Sequence, residues 1–471
     1  KSYTQRMEAP TYSNIITTGP GYAALYLSGA SSNTFTVILA SNPAGEGAYL
    51  ELNSNYNTLR FSTFAVSEID HAAVYLYNGA SSNTIVGNAI INSRGGHGVV
   101  IQTAANYNRV IQNRISGNHI SGPPLMFENA SWNMTTQNFM SNPAGHGVVF
   151  WPVSNYNSVS NSTVTCNLAG SIAFYFNNSS SNTITDSYGQ DSPGYGAYFT
   201  GNSRYNTIAT STLVVNSASI NSQALFLSGS SSNRIIGSVM RNPLGYAAYM
   251  TSSSNFNTIA QSTVNSAGSG AAGLWIRNSS SNSVVDSYVQ GSTGALITGS
   301  TGTVIGGSVV VASNTTGSAI WIDSGSVNVS VTTSAILGGP QGAGLTMDLG
   351  SSGYLTLATN TVIGGRWGVS IATMTCGACN GNLSITSMTF AGGLTAGATA
   401  IHFTGGTFTS TFTSVAFNDA NIAVDVNGYG LTTASTITMR NYSGAKSGPA
   451  YENDYADPNG VVDWLSAYFT M

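Results

Sequence analysis

Two Gly-His-Gly triplets, Gly96-His97-Gly98 and Gly145-His146-Gly147, are the first residues whose types invite a chemical reading. The same slot elsewhere reads Gly45-Glu46-Gly47, Gly194-Tyr195-Gly196 and Gly245-Tyr246-Ala247, so it is a variable position in a glycine turn. Glycoside cleavage needs two carboxyl groups close together, and calcium wants six to eight oxygen ligands, usually with several carboxylates. The nearest candidates are Asp186 with Asp191 and Glu68 with Asp70, with Asp286 farther along; all are read as solvated turn residues. No catalytic residue, metal ligand or cofactor is assigned on this basis. Cys376-Gly377-Ala378-Cys379 suits a tight disulfide first and free thiols next. A redox pair or half a metal site is the other reading, but no second Cys pair or His cluster completes a zinc tetrad. Cys166 reads as a buried core residue.

A repeat must position these side chains. An asparagine returns about every 25 residues, at Asn33, Asn57, Asn83, Asn108, Asn133, Asn157, Asn182, Asn206, Asn233, Asn257 and Asn282. A repeat of this length means a solenoid, whose units bury their apolar faces against one another. Two positions after the Asn the residue is apolar in every case but Thr135, so that position points inward. Nine and seven positions before it lie pairs such as Ala48 and Leu50, Val99 and Ile101, or Val148 and Phe150. A spacing of two is the period of a strand. Short parallel strands stacked at ~4.8 Å follow from this. The Asn would sit at a turn, in the left-handed geometry it tolerates. Identical amides would then bond from turn to turn as a ladder.

The turns Ser81–Ile85 and Ser180–Ile184, both Ser-Ser-Asn-Thr-Ile, and their partners Asn55–Leu59 and Arg204–Ile208 carry a resemblance. They are similar to turns of the right-handed parallel β-helix, or pectin-lyase-like, repeat proteins. The resemblance covers roughly residues 20–310 and is one of fold. It implies an all-β chain, a single-stranded right-handed parallel β-helix solenoid; counting rungs of roughly 25 residues gives about sixteen. That family holds lyases, hydrolases, phage tailspikes, adhesins and fibres, so fold does not fix function. Its pectin-degrading hydrolases carry a Gly-His-Gly near paired aspartates, and this chain has no Asp-Asp.

Four segments are expected: 1–20 as a cap or assembly segment, 21–310 as the regular coil, 311–445 as a divergent continuation, and 446–471 as a second cap or assembly segment. Ser-Ser-Asn or Ser-Trp-Asn turns alternate with Asn/Arg-Tyr/Phe-Asn turns, so the true unit is about 50 residues. In one class the positions eight and six before the Asn are apolar, as in Tyr75 and Tyr77 or Phe174 and Phe176. Read as outward, they would form an apolar stripe, the kind of patch that marks an interface.

Composition narrows the setting. Charged residues are 6% of 471, and the formal net charge is −4. No Lys/Arg cluster exists to displace counterions, so nucleic acid is not an expected partner. No run of 18 apolar residues appears, so no membrane span is expected. The chain opens at Lys1, which fits either a removed export signal or a truncated sequence; the first reading leads and predicts a secreted, extracellular or cell-surface protein. Asn-x-Ser/Thr sequons make Asn129, Asn133, Asn161, Asn177, Asn178, Asn278, Asn314, Asn328, Asn382 and Asn441 candidate glycosylation sites. A basic head with Lys1 and Arg6 faces an acidic aromatic tail with Asp454, Asp457 and Trp464. Head-to-tail contact of that kind makes an open filament. The leading expectation is therefore a structural protein whose partner is itself, assembling into a fibre or sheath, with bound or covalent glycans. A carbohydrate-active enzyme or tailspike, its outward aromatics stacking on sugar, is the second expectation, and a surface adhesin the third.

Overall fold

The computed structural model describes residues 13–323, 325–347, 355–371 and 380–403, with the backbone alone at 364, 380–383, 391–400 and 403. Past residue 403 it describes short strands by their backbone, from Thr409–Thr413 to Tyr468–Thr470. Lys1, Arg6, Cys376, Cys379, Asn441, Asp454 and Asp457 lie outside the described residues, and the Asn382 and Trp464 side chains do as well. The chain forms two compact units, Lys1–Val239 and Met240–Met471.

Each turn supplies three short strands. In the first unit Ile38–Asn42, Ala48–Glu51 and Thr58–Arg60 make one turn. Each pairs in parallel with its counterpart in the next, as in Asn42↔Val66, Leu50↔Leu76 and Leu59↔Ile85. The second unit repeats the plan. There Tyr288↔Val309, Ala295↔Ile320 and Ile305↔Val331 pair in register, and the coil passes residue 310 without a break. Counting third strands, fourteen turns are complete by Leu355–Ala358, slightly off the sixteen expected for the chain, and strands continue the columns beyond. The described residues contain no helix, hence none long and apolar enough to cross a membrane.

The sequence dictates these strands locally. Triplets such as Thr84-Ile85-Val86 and Thr183-Ile184-Thr185 bury the central isoleucine and leave the flanking residues half-exposed. β-Branched side chains suit the pleated surface. Inside the second-strand column Phe127, Phe150, Phe176 and Phe199 stack at 5.2, 4.7 and 4.3 Å between centroids, all fully buried. Burying each such ring contributes ~2–3 kcal/mol.

This stack corrects the expected apolar stripe. Phe174 and Phe176 are core, as are Leu125, Leu225, Leu227, Leu274 and Ile276. In these turns the strand runs one residue closer to the Asn than in their neighbours. Phe150, seven before Asn157, pairs with Phe176, six before Asn182. A one-residue slip moves every side chain of a strand to the other face, so the apolar residues at eight and six point inward. Only the Asn83 turn keeps the expected phase: Val74 and Leu76 are buried there, and Tyr75 and Tyr77 point outward.

Candidate functional site

Within each unit the recurring asparagines form a hydrogen-bonded column. Asn57 Oδ1 accepts from both the backbone N–H and Nδ2 of Asn33, each at 2.9 Å. The same pattern runs through Asn83, Asn108, Asn133, Asn157, Asn182, Asn206 and Asn233 in the first unit. Asn257 and Asn282 repeat it in the second, at 3.2 Å. The left-handed backbone belongs to the residue before each Asn and not to the Asn, which corrects the sequence reading: Ser32, Tyr56, Ser82, Tyr107 and Trp132 have φ of 61, 58, 57, 59 and 62°. The preceding residue makes the turn, which frees the amide to reach its neighbour. Five positions on, Ser62, Asn88, Asn113, Asn138, Ser162 and Ser187 form a second such column. Sequence reasoning missed it because it mixes two residue types.

The ladder bears on the sequons. Asn133 is 1% exposed and both ends of its amide are bonded, so the folded turn presents no glycan acceptor there. Asn129, Asn161, Asn178, Asn278, Asn314 and Asn328 are exposed, and Asn177 is half-buried.

The outward side of the second-strand column is the strongest candidate face. Pairing places Tyr26, Tyr49 and Tyr75 side by side on successive turns, with centroids 5.7 and 5.0 Å apart. Tyr77 adds a fourth ring, 5.5 Å from Tyr75. Polar groups rim this cluster. The Tyr49 hydroxyl donates to Glu51 at 3.1 Å, and Tyr26 donates to the same carboxylate. Tyr75 donates to Gln102, whose amide donates to Glu128 at 2.7 Å. His71 contacts Glu46 at 2.7 Å. Burial pushes the Tyr75 phenol up to about 12 and the Tyr49 phenol higher still, so both stay protonated donors at neutral pH. Farther along, Tyr175, Tyr198 and Phe226 form a second cluster at 5.7 and 4.7 Å, flanked by Trp151 and Tyr195. In the second unit the half-exposed Trp275 covers the buried Tyr249 ring at 4.6 Å, with the Arg277 guanidinium 5.6 Å from the Trp275 ring.

The candidate acids do not converge. Asp186, Glu68, Asp70 and Asp286 are exposed. Asp186 accepts from Thr210 at 2.6 Å in an open polar groove with Asn161 and Tyr188. Asp191 is fully buried, which corrects its reading as a solvated turn residue. It occupies the slot of Asn42, Asn92 and Asn142, whose amides donate to turn carbonyls. As a carboxylate Asp191 only accepts, and Ser171 donates to it at 2.6 Å. Burial pushes Asp191 up to about 7. His97 and His146 are pushed down to about 4 by burial, and their Nδ1 atoms have no partner among the described residues. They are neutral packing groups at pH 7. Cys166 is buried. No group of three or more His, Cys, Asp or Glu among the described residues is arranged to hold a metal ion.

Comparison with known proteins fits this architecture. A family model described as a right handed beta helix region matches residues 5–130 and 65–213. No curated protein matches. Among solved structures, the A-module of an Azotobacter vinelandii mannuronan C-5 epimerase is 11% identical over 74% of this chain and 88% of its own, with a TM-score of 0.40. The tailspike protein gp49 of Pseudomonas phage LKA1 is 11% identical over 70% of this chain and 51% of its own, at 0.39. PfbA, a surface adhesin of Streptococcus pneumoniae, is 11% identical over 75% and 85%, at 0.33. No functional residue is carried over from proteins so distant. Its in-register parallel turns give the chain the fold of a parallel β-helix, in keeping with the right handed beta helix model that matches within residues 5–213.

Proposed function

We propose that the protein binds an extended polysaccharide along the outward face of its second-strand columns, in an extracellular or cell-surface setting. The observation that carries this reading is the row of outward rings at Tyr26, Tyr49, Tyr75 and Tyr77, rimmed by Glu51, Gln102 and Glu128. Aromatic side chains offer a flat apolar body with a polar tip, and a sugar ring needs both: a face to lie on and groups to bond its hydroxyls. The rings follow the strand stacking at ~4.8 Å per turn, so the platform extends in one direction, as a linear glycan does.

Binding is favoured over cleavage. The strands bearing Glu51 and Glu128 are three turns apart, separated by Ala72–Leu76 and His97–Gln102. That is ~14 Å of backbone, beyond the ~5–9.5 Å that glycosidase carboxyl pairs keep. The fibre reading loses its apolar stripe to the core, and its head-to-tail contacts fall outside the described residues; electron microscopy of concentrated protein tests it.

Affinity electrophoresis against a panel of linear polysaccharides tests the binding reading. At least one glycan should retard the parent protein, and Tyr49→Ala/Tyr75→Ala should lower that affinity tenfold or more. No retardation by any glycan, or equal retardation of the double variant, contradicts it.

A further inference from the structure

A different column of rings climbs the corner just before the asparagine ladder. Tyr56, Tyr107, Tyr156 and Tyr205 precede Asn57, Asn108, Asn157 and Asn206, and are 67, 58, 51 and 64% exposed. Each holds a left-handed φ, at 58, 59, 58 and 56°. Bulky residues adopt this region rarely and at a cost. The rings are too exposed to offset that cost by burial.

The turns between carry Ser82, Trp132 and Ser181 at the same backbone setting, with φ of 57, 62 and 58°. Trp132 shows what the space between two tyrosines accepts. It lies 6.4 Å from Tyr107 and 4.3 Å from Tyr156, with planes tilted by only 14 and 6°. Tyrosines two turns apart stand ~9.6 Å apart, which leaves room for one intervening ring. Trp132 fills one such space. Ser82, between Tyr56 and Tyr107, and Ser181, between Tyr156 and Tyr205, leave the equivalent spaces without a ring.

We infer that the corner carries two slots, floored by Ser82 and Ser181, each taking one planar aromatic ring of a ligand, a phenol or an indole. The polar groups at the floor argue for an aromatic ring over a sugar. The backbone N–H groups of Ser82 and Ser181 are engaged by Asn106 and Arg204. The Ser81 and Ser180 hydroxyls accept from the backbone of those same residues. With the floor's backbone so engaged, what each slot chiefly offers is two parallel ring faces, which suit a flat apolar group. These slots lie on a different strip from the proposed polysaccharide face and stand or fall independently of it.

Equilibrium dialysis with indole as the probe tests the inference. Ser82→Trp/Ser181→Trp places an indole where Trp132 already sits in the intervening turn, and should lower bound indole at least fivefold. Trp132→Ser opens a third space and should bind one more equivalent than the parent. Glucose at equal concentration should not displace indole. Unchanged indole binding by the double tryptophan variant, no gain by Trp132→Ser, or displacement by glucose overturns the inference. Should the double variant fail to fold, Trp132→Ser decides alone, since Trp132 is 51% exposed and removing it empties no core.

Discussion

The least expected residue is Asp191, an acid in a slot that asparagine fills in other turns. Its carboxyl is raised to about 7 by burial, against an ordinary value of 3.8. Between those values the folded protein holds a proton that the unfolded chain has released. Stability is therefore fully present below about pH 4 and falls as pH rises to about 7, by on the order of 4 kcal/mol at ~1.36 kcal/mol per unit. Asp191→Asn restores the neutral amide and should raise the melting temperature at pH 8 while leaving it nearly unchanged at pH 4. Calorimetry at the two pH values checks this; an equal effect at both contradicts it. His97 and His146 act in the opposite sense. Their folded values lie below the ordinary 6.5, so they subtract stability as pH falls from about 6.5 toward 4. His97→Phe/His146→Phe should flatten that acid limb of the stability profile.

At the level of elements, the ladder and the ring stack are the two supports of each turn. Asn108→Ala removes the acceptor of the Asn83 amide and backbone N–H, and the donor to Ala80. Buried polar groups left unpaired should cost about 2–4 kcal/mol, read by chemical denaturation. Phe176→Ala opens a cavity in a stack and should cost about 3–5 kcal/mol, whereas Tyr75→Ala on the outward side should cost about 1 kcal/mol or less. Equal losses for these two would contradict the assigned faces. The recurring Asn and the inward residue two positions after it made the third strand and the ladder legible in the sequence. The phase of the second strand was legible only in part. Alternate turns differ by one residue between strand and Asn, and a fixed count backward from Asn157 and Asn182 lands on opposite faces. Pairing of whole strands settles that phase, and pairing is not a local property. The aromatic face was hidden for the same reason: Tyr26, Tyr49 and Tyr75 sit seven, eight and eight residues before their Asn and share no single offset. The burial of Asp191 was hidden because an acid in a turn ordinarily meets water.

Across the whole molecule, 13 basic and 17 acidic residues are spread over 471 positions, so hydroxyls and amides do most of the surface hydration. Polysaccharide binding should then depend on ring contact and hydrogen bonding more than on long-range charge. Affinity for an uncharged glycan should change less than threefold between ~0.05 and ~0.5 M salt, where surface charge interactions are progressively screened. Each unit carries its own outward rings, around Tyr49 in the first and Trp275 in the second. The most direct test of the binding face is hydroxyl-radical footprinting with mass spectrometry, with and without a retarding glycan. The glycan should protect Tyr26, Tyr49, Tyr75 and Tyr77 and leave Tyr56 and Tyr205, on the other corner, unchanged. Equal oxidation of the four tyrosines in both states would contradict the account.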